Sequence, residues 1–268
     1  MRSTEVLFRC AFLTIVLLAI SSAAPSWKDF AAEKAGGPDL DKILRQLEVN
    51  FFQYHASIPS FFCDEHVISG VRRTGVPLEV TRTSSIFRLK RYGSGKSAPL
   101  IESRQIKTVD GKPAKDTEKL HGPAVLSGAF NIATAMVAYS EKACFNYHLV
   151  KSRKHNQYII EYATKNPKEQ GKLCTVKEPT KGRAFIDSNA MQITRIEART
   201  WDHPMPGNVT GLWIWSVDYG AVSLNGKTFW LPKRIESFAD SDRYALEWTF
   251  DATYSNYHEM TVSSRIIP

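Results

Sequence analysis

Alternation constrains this chain most. From Phe62 to the C-terminus it is written largely as short period-two runs of apolar and polar residues parted by turn signals, and a chain written that way folds as consecutive antiparallel strands. Three runs come first, Phe62–Ser69, Leu78–Tyr92 and Pro99–Val109, the last ending at Asp110-Gly111. Eight more follow: Cys144–Val150, Tyr158–Ala163, Arg183–Asp187, Met191–Ala198, Leu212–Tyr219, Lys227–Glu236, Tyr244–Phe250 and Tyr257–Ile266. Their connections are short, and Asp187-Ser188-Asn189 and Asn225-Gly226 have the composition of tight turns.

Two stretches break the alternation. In the first, Asp39 opens an amphipathic helix to Phe51, with Leu40, Ile43, Leu44, Leu47 and Phe51 at three- and four-residue spacing. The second, Ala124 to about Tyr139 after Pro123, is apolar on most faces and reads as a helix enclosed by the fold. In the strand Leu212–Tyr219 one face carries Trp213, Trp215, Val217 and Tyr219 and the other Leu212 and Ile214, so both need cover. The expected fold is α+β but mostly β: a curved antiparallel sheet, an incomplete barrel, with helices packed in or on its concave face. Residues 39–268 are expected to form one domain.

The N-terminus addresses the chain for export. Arg2 and Arg9 precede the apolar run Ala11–Ile20 and the small residues Ser21, Ser22, Ala23 and Ala24. That is the layout of a signal peptide over residues 1–24, its apolar run shorter than the roughly 20 residues that span a bilayer. Residues 25–38 are expected to be a flexible segment, with a linker at Ala31–Gly37, and Cys10 leaves with the peptide. The product is expected to be periplasmic or secreted. A hydrophobic fraction of 43% supports a globular core, and a formal charge of +8 is compatible with an anionic membrane surface. Export argues against nucleic acid. The denser cations, Arg88, Lys90, Arg91 and Lys96, then Lys151, Arg153 and Lys154, read as solvated strand faces.

Three cysteines remain beyond the signal, in a compartment where disulfides persist. Antiparallel pairing of the strands around Cys144 and before Cys174 predicts a Cys144–Cys174 bridge, leaving Cys63 as a buried thiol. The alternative is three small buried hydrophobes.

Catalytic signatures are sparse. Gly93-Ser94-Gly95-Lys96-Ser97 has Lys90 where a phosphate loop needs its first glycine, and no helix follows, so it reads as a hairpin tip. The seven histidines form no H-x-H or H-x-x-x-H pair and there is no CxxC, so no metal or cofactor is expected. Cys63, Glu65 and His66 are the one group that could serve a hydrolase, but strand alternation points Cys63 and His66 apart. Asn208-Val209-Thr210 is a glycosylation acceptor only in a eukaryotic host.

Aromatic residues dominate the C-terminal sheet, and Trp213, Trp215, Tyr219, Trp230 and Trp248 are the candidates to line an apolar trough. Burying an acyl chain of about sixteen carbons is worth on the order of 10 kcal/mol against water. Against a bilayer it gains almost nothing, so a carrier needs only a comparably apolar cavity and no catalytic residue.

Gly182-Arg183-Ala184-Phe185-Ile186-Asp187, then Ile193-Thr194-Arg195-Ile196-Glu197, Val217-Asp218-Tyr219 and Phe229-Trp230-Leu231-Pro232 carry a resemblance. Together they resemble the G-x-x-x-I-D, R-I-E, V-D-Y and L-P signatures of the bacterial lipoprotein-sorting, LolA-like superfamily, in a divergent branch rather than the lipoprotein carrier itself. The motifs cover about residues 180–265, and residues 39–175 match in element order. The resemblance implies a half-open barrel that binds acyl chains, hence an exported, non-catalytic binder or carrier of lipid or another hydrophobic ligand in the bacterial envelope. The alternatives are an envelope protein-interaction or sensor module with a filled core, and the hydrolase.

Overall fold

In the computed structural model, residues 39–260 are described apart from 94, 96–97, 121, 206–208 and 242–244. The signal peptide, the segment 25–38 with its linker, Lys96, Asn208, Tyr244 and the end of the expected strand Tyr257–Ile266 lie outside the described residues.

Among the described residues there is one α-helix, α1 (Leu40–Ser57), which starts at Asp39, whose Oδ1 accepts the Asp41 amide at 3.0 Å as an N-cap should. It runs six residues past the expected Phe51, because Tyr54 continues the apolar stripe; Pro59 follows its end. Ile43, Leu44 and Leu47 are buried, worth about 1.5–3 kcal/mol each.

Among the described residues eleven strands form one antiparallel sheet: β1 (Phe61–Arg73), β2 (Glu79–Arg91), β3 (Leu100–Val109), β4 (Lys112–Pro113), β5 (Phe145–Val150), β6 (Gln157–Thr164), β7 (Thr180–Asp187), β8 (Gln192–Met205), β9 (Val209–Leu224), β10 (Lys227–Ser241) and β11 (Leu246–Glu259). The order is β4-β3-β2-β1-β11-β10-β9-β8-β7-β6-β5, so every neighbour but β1–β11 is also a neighbour in sequence. The sheet does not close, as an incomplete barrel requires. Asp110-Gly111 and Asn225-Gly226 all have positive φ, the geometry a two-residue hairpin demands.

Alternation builds the core in rows. Val67, Ala252, Ile235, Val217, Ile196, Ala184 and Ile160 lie directly opposite one another across seven strands, and all are buried. One row over stand Phe250, Ser237, Trp215, Ala198, Gly182 and Tyr162. At Gly182 a Cβ would lie 2.2 Å from the Glu197 carbonyl oxygen and 2.3 Å from the Tyr162 ring, which leans across the glycine and donates to that same carbonyl. On the outer face Arg195 pairs with Asp218 at 2.8 Å and Arg234 with Asp251 at 2.7 Å, exposed bridges worth about 0–1 kcal/mol each.

Three expectations are corrected. The enclosed helix Ala124–Tyr139 does not form; the segment is an irregular strap followed by 3-10 turns at Ala133–Val137 and Tyr139–Ala143. Gly128 sits at φ +82, outside the helical region, and side chains from other elements, together with a local turn onto the Gly128 carbonyl, satisfy the strap's backbone. The strands expected at Tyr244–Phe250 and from Tyr257 are one strand, β11, because Asn256 at φ +53 marks a bulge opposite Cys63 and pairing resumes beyond it. Arg91 is not solvated: its guanidinium donates to the carbonyls of His55, Ile58 and Ala98 and closes the C-terminal end of α1.

The bridge Cys144–Cys174 is formed, with its Cα atoms 5.5 Å apart, and Cys63 is free and buried. Among the described residues no helix is long and apolar enough to cross a membrane.

Candidate functional site: a cavity between the helix and the sheet

The strap Gly128–Asn131 lies over the inner face, and distant side chains hold five of its backbone polar groups, while the Gly128 carbonyl accepts the amides of Asn131, Ile132 and Ala133. From β3, the Glu102 carboxylate accepts the amides of Gly128 at 3.0 Å and Phe130 at 3.2 Å. Tyr219 on β9 donates to the Ala129 carbonyl at 3.0 Å, and Tyr54 on α1 to the Phe130 carbonyl at 2.7 Å. His55 Nε2 lies 2.7 Å from the Asn131 carbonyl, which can only accept, so that nitrogen carries the proton.

These anchors press the Phe130 ring into the sheet. It stacks on Phe87 at 4.3 Å and meets Tyr254 edge-on at 5.0 Å. Beneath lies a buried polar cluster in which the wholly buried Glu65 accepts from Arg104 Nε at 2.8 and 3.0 Å and from Tyr254 Oη at 2.8 Å. Burial holds the phenols of Tyr54, Tyr219 and Tyr254 above their ordinary range, so they act as neutral donors. Burial also raises the Glu102 carboxyl, against the opposing pull of the Gly128 amide, Arg104 and the Phe130 amide.

Between α1, the strap and strands β8–β10 there remains a cavity of about 190 Å³. Leu47, Phe51 and Tyr54 form its helical wall, and Ala129 and Phe130 its end. Ile193, Tyr219, Trp230 and Pro232 form its floor. A bulge sets that floor: β10 gains Lys233 between Pro232 and Arg234, which brings Pro232 opposite Tyr219 and Trp230 opposite Ala221, whereas beyond the bulge the odd positions Ile235 and Ser237 face inward. A second, more open groove of about 560 Å³ lies on the other side of Phe51, against Phe52, His55 and Pro99.

The predicted aromatic residues separate. Tyr219 and Trp230 reach the cavity. Trp215 is 3% exposed and belongs to the core. Trp213 is half-buried, stacked on His203 at 4.3 Å, and donates its Nε1 hydrogen to Ser237 Oγ at 2.8 Å. Trp248 is half-buried and packs near Gly122. The sequence reading missed the helical contribution of Asn50, Phe51 and Tyr54, although the spacing Leu47, Phe51, Tyr54 carried the signal. Cys63 and Glu65 lie on the inner face away from this cavity, and His66 faces outward beside Ser84. Burial first and then Glu65 hold the Cys63 thiol above its ordinary range, which keeps it protonated.

No protein-family model matches the chain, and no curated protein matches it. Among solved structures it is similar to a DUF1329 family protein from Desulfovibrio piger ATCC 29098, at 13% identity over 85% of this chain and 96% of that one, with a TM-score of 0.40. It is similar to a LolA superfamily protein from Nitrosomonas europaea at 9% identity, over 81% and 94% of the two chains, with a TM-score of 0.37. A third, an outer membrane lipoprotein-sorting protein domain from Vibrio parahaemolyticus, shares 9% identity over 84% and 95%, with a TM-score of 0.34.

Proposed function

We propose that the protein is an exported, non-catalytic binder or carrier of lipid or another hydrophobic ligand in the bacterial cell envelope, holding it between α1 and the sheet. The cavity of about 190 Å³ with walls of Leu47, Phe51, Phe130, Ile193 and Trp230 carries this reading. It is slightly larger than the ~150 Å³ apolar cavity that accepts benzene. A ring or a short stretch of acyl chain fits as it stands, and a longer chain continues past Phe51 into the open groove. Native mass spectrometry of protein purified without detergent tests it. Bound hydrophobic mass, released on unfolding, is expected; protein that arrives empty and ignores both fluorescent fatty acids and neutral apolar dyes would sink the reading.

One observation favours a second reading, an envelope interaction module that recruits a protein along an edge strand. Phe87 and Phe130 are buried in the core, and so is Trp215, one of the five residues expected to line the trough with Trp213, Tyr219, Trp230 and Trp248. That reading predicts a partner crosslinked at β5 and no ligand in the mass spectrum.

A further inference from the structure

We propose that the cavity selects uncharged guests, such as an alcohol, phenol or amide on an apolar body, over carboxylates and ammonium groups; this rests on the cavity being the binding site. Among the described residues that line it, none is charged. Its polar members are neutral amides and hydroxyls and the Trp230 indole, and four of them already have a hydrogen committed. Tyr54 and Tyr219 donate to the carbonyls of Phe130 and Ala129. Asn50 Nδ2 donates to the Met191 carbonyl at 2.6 Å, and Ser57 Oγ to the Gln53 carbonyl at 2.6 Å. Asn50 keeps a second amide hydrogen, and the Gln53 and Gln192 amides and the Trp230 indole can donate as well. A neutral hydroxyl or amide thus finds neutral partners of both kinds, whereas a full charge finds no opposite charge in the lining.

The nearest charges reinforce this. Glu102 stands behind the strap, spent on the Gly128 and Phe130 amides. Arg91, the cation at that end of α1, directs its guanidinium at the carbonyls of His55, Ile58 and Ala98. A carboxylate or an ammonium entering the cavity exchanges its hydration for neutral partners alone.

The test titrates the whole protein with 1-octanol, octanoate and octylammonium at about pH 8, where the last two are charged, reading the intrinsic tryptophan fluorescence, to which Trp230 on the cavity floor contributes. Octanol is expected to bind at least about tenfold more tightly than either ion. Octanoate or octylammonium binding as tightly as octanol would overturn the selectivity and leave the cavity reading standing; no binding by any of the three would remove both. A second variant guards against binding elsewhere. Gln53 is an exposed helical residue on the cavity wall, and Gln53→Lys supplies the missing cation without touching the core. It is expected to narrow the octanol-to-octanoate ratio by about tenfold, and an unchanged ratio would overturn the assignment.

Discussion

Tyr54 on α1 and Tyr219 on β9 hold consecutive carbonyls of the strap, those of Phe130 at 2.7 Å and Ala129 at 3.0 Å. The helix and the sheet thus share one clasp. Replacing Tyr54 with Phe keeps the ring and strands a buried carbonyl, so it is expected to cost about 1–3 kcal/mol in urea unfolding. A cost under a few tenths of a kcal/mol would show that the clasp holds nothing.

Arg104→Met is expected to be among the most damaging single changes. It leaves Glu65 buried with only the Tyr254 hydroxyl as partner, a loss of about 3–5 kcal/mol. The double variant with Glu65→Leu is expected to recover most of that, because neither charge then needs solvation. Denaturation of the three proteins side by side checks it, and a double variant no better than the single would contradict it.

Stability should depend on pH through Glu102. Its carboxyl is raised in the folded protein, chiefly by burial, so the folded state binds a proton more readily than the unfolded state does. The contribution is present in full below the ordinary Glu value of about 4.3 and is lost as pH rises through the raised folded value. Compared with Glu102→Gln, the wild type is expected to lose ground as pH climbs from about 4 toward neutrality. Melting curves of both proteins at stepped pH measure it, and a constant difference would refute it.

Trp215→Ala and Trp230→Ala should separate core from cavity. Emptying the site of Trp215, 3% exposed, is expected to cost about 3–5 kcal/mol. Trp230 is half-buried on the cavity floor, and its loss is expected to weaken ligand uptake while costing less. One thermal melt beside one titration for each variant decides the matter, and reversed roles would be fatal to the site assignment.

Reducing the Cys144–Cys174 bridge frees a loop of sequence separation 30 and is expected to cost about 3–4 kcal/mol by chain entropy. Denaturation with and without reductant gives the figure. No change would mean that the loop is ordered by its other contacts.

The strands were legible because period-two alternation is a local signal that the sheet's inner face obeys row by row, from Val67 to Ile160. The bridge was legible because pairing of β5 and β6 limits where the two sulfurs can stand. The strap was not, since Ala124–Tyr139 looks like an apolar helix until Glu102, Tyr54, His55 and Tyr219 arrive from three other elements to bind its backbone. Nor was the cavity floor. Whether Trp230 faces inward depends on the one-residue bulge at Lys233, and such an insertion leaves no mark in hydrophobic periodicity.

Gly182 has a consequence for how the sheet finds its alignment. Sliding β7 along β6 by one residue would turn Ala184 and Ile186 outward, which their burial forbids. Sliding it by two keeps every apolar side chain inward, and alternation alone has no objection to that error. The glycine does. Either two-residue slip would bring Thr180 or Ala184 under the Tyr162 ring, where a Cβ has no room. A position with no side chain thus acts as the index mark by which these strands count.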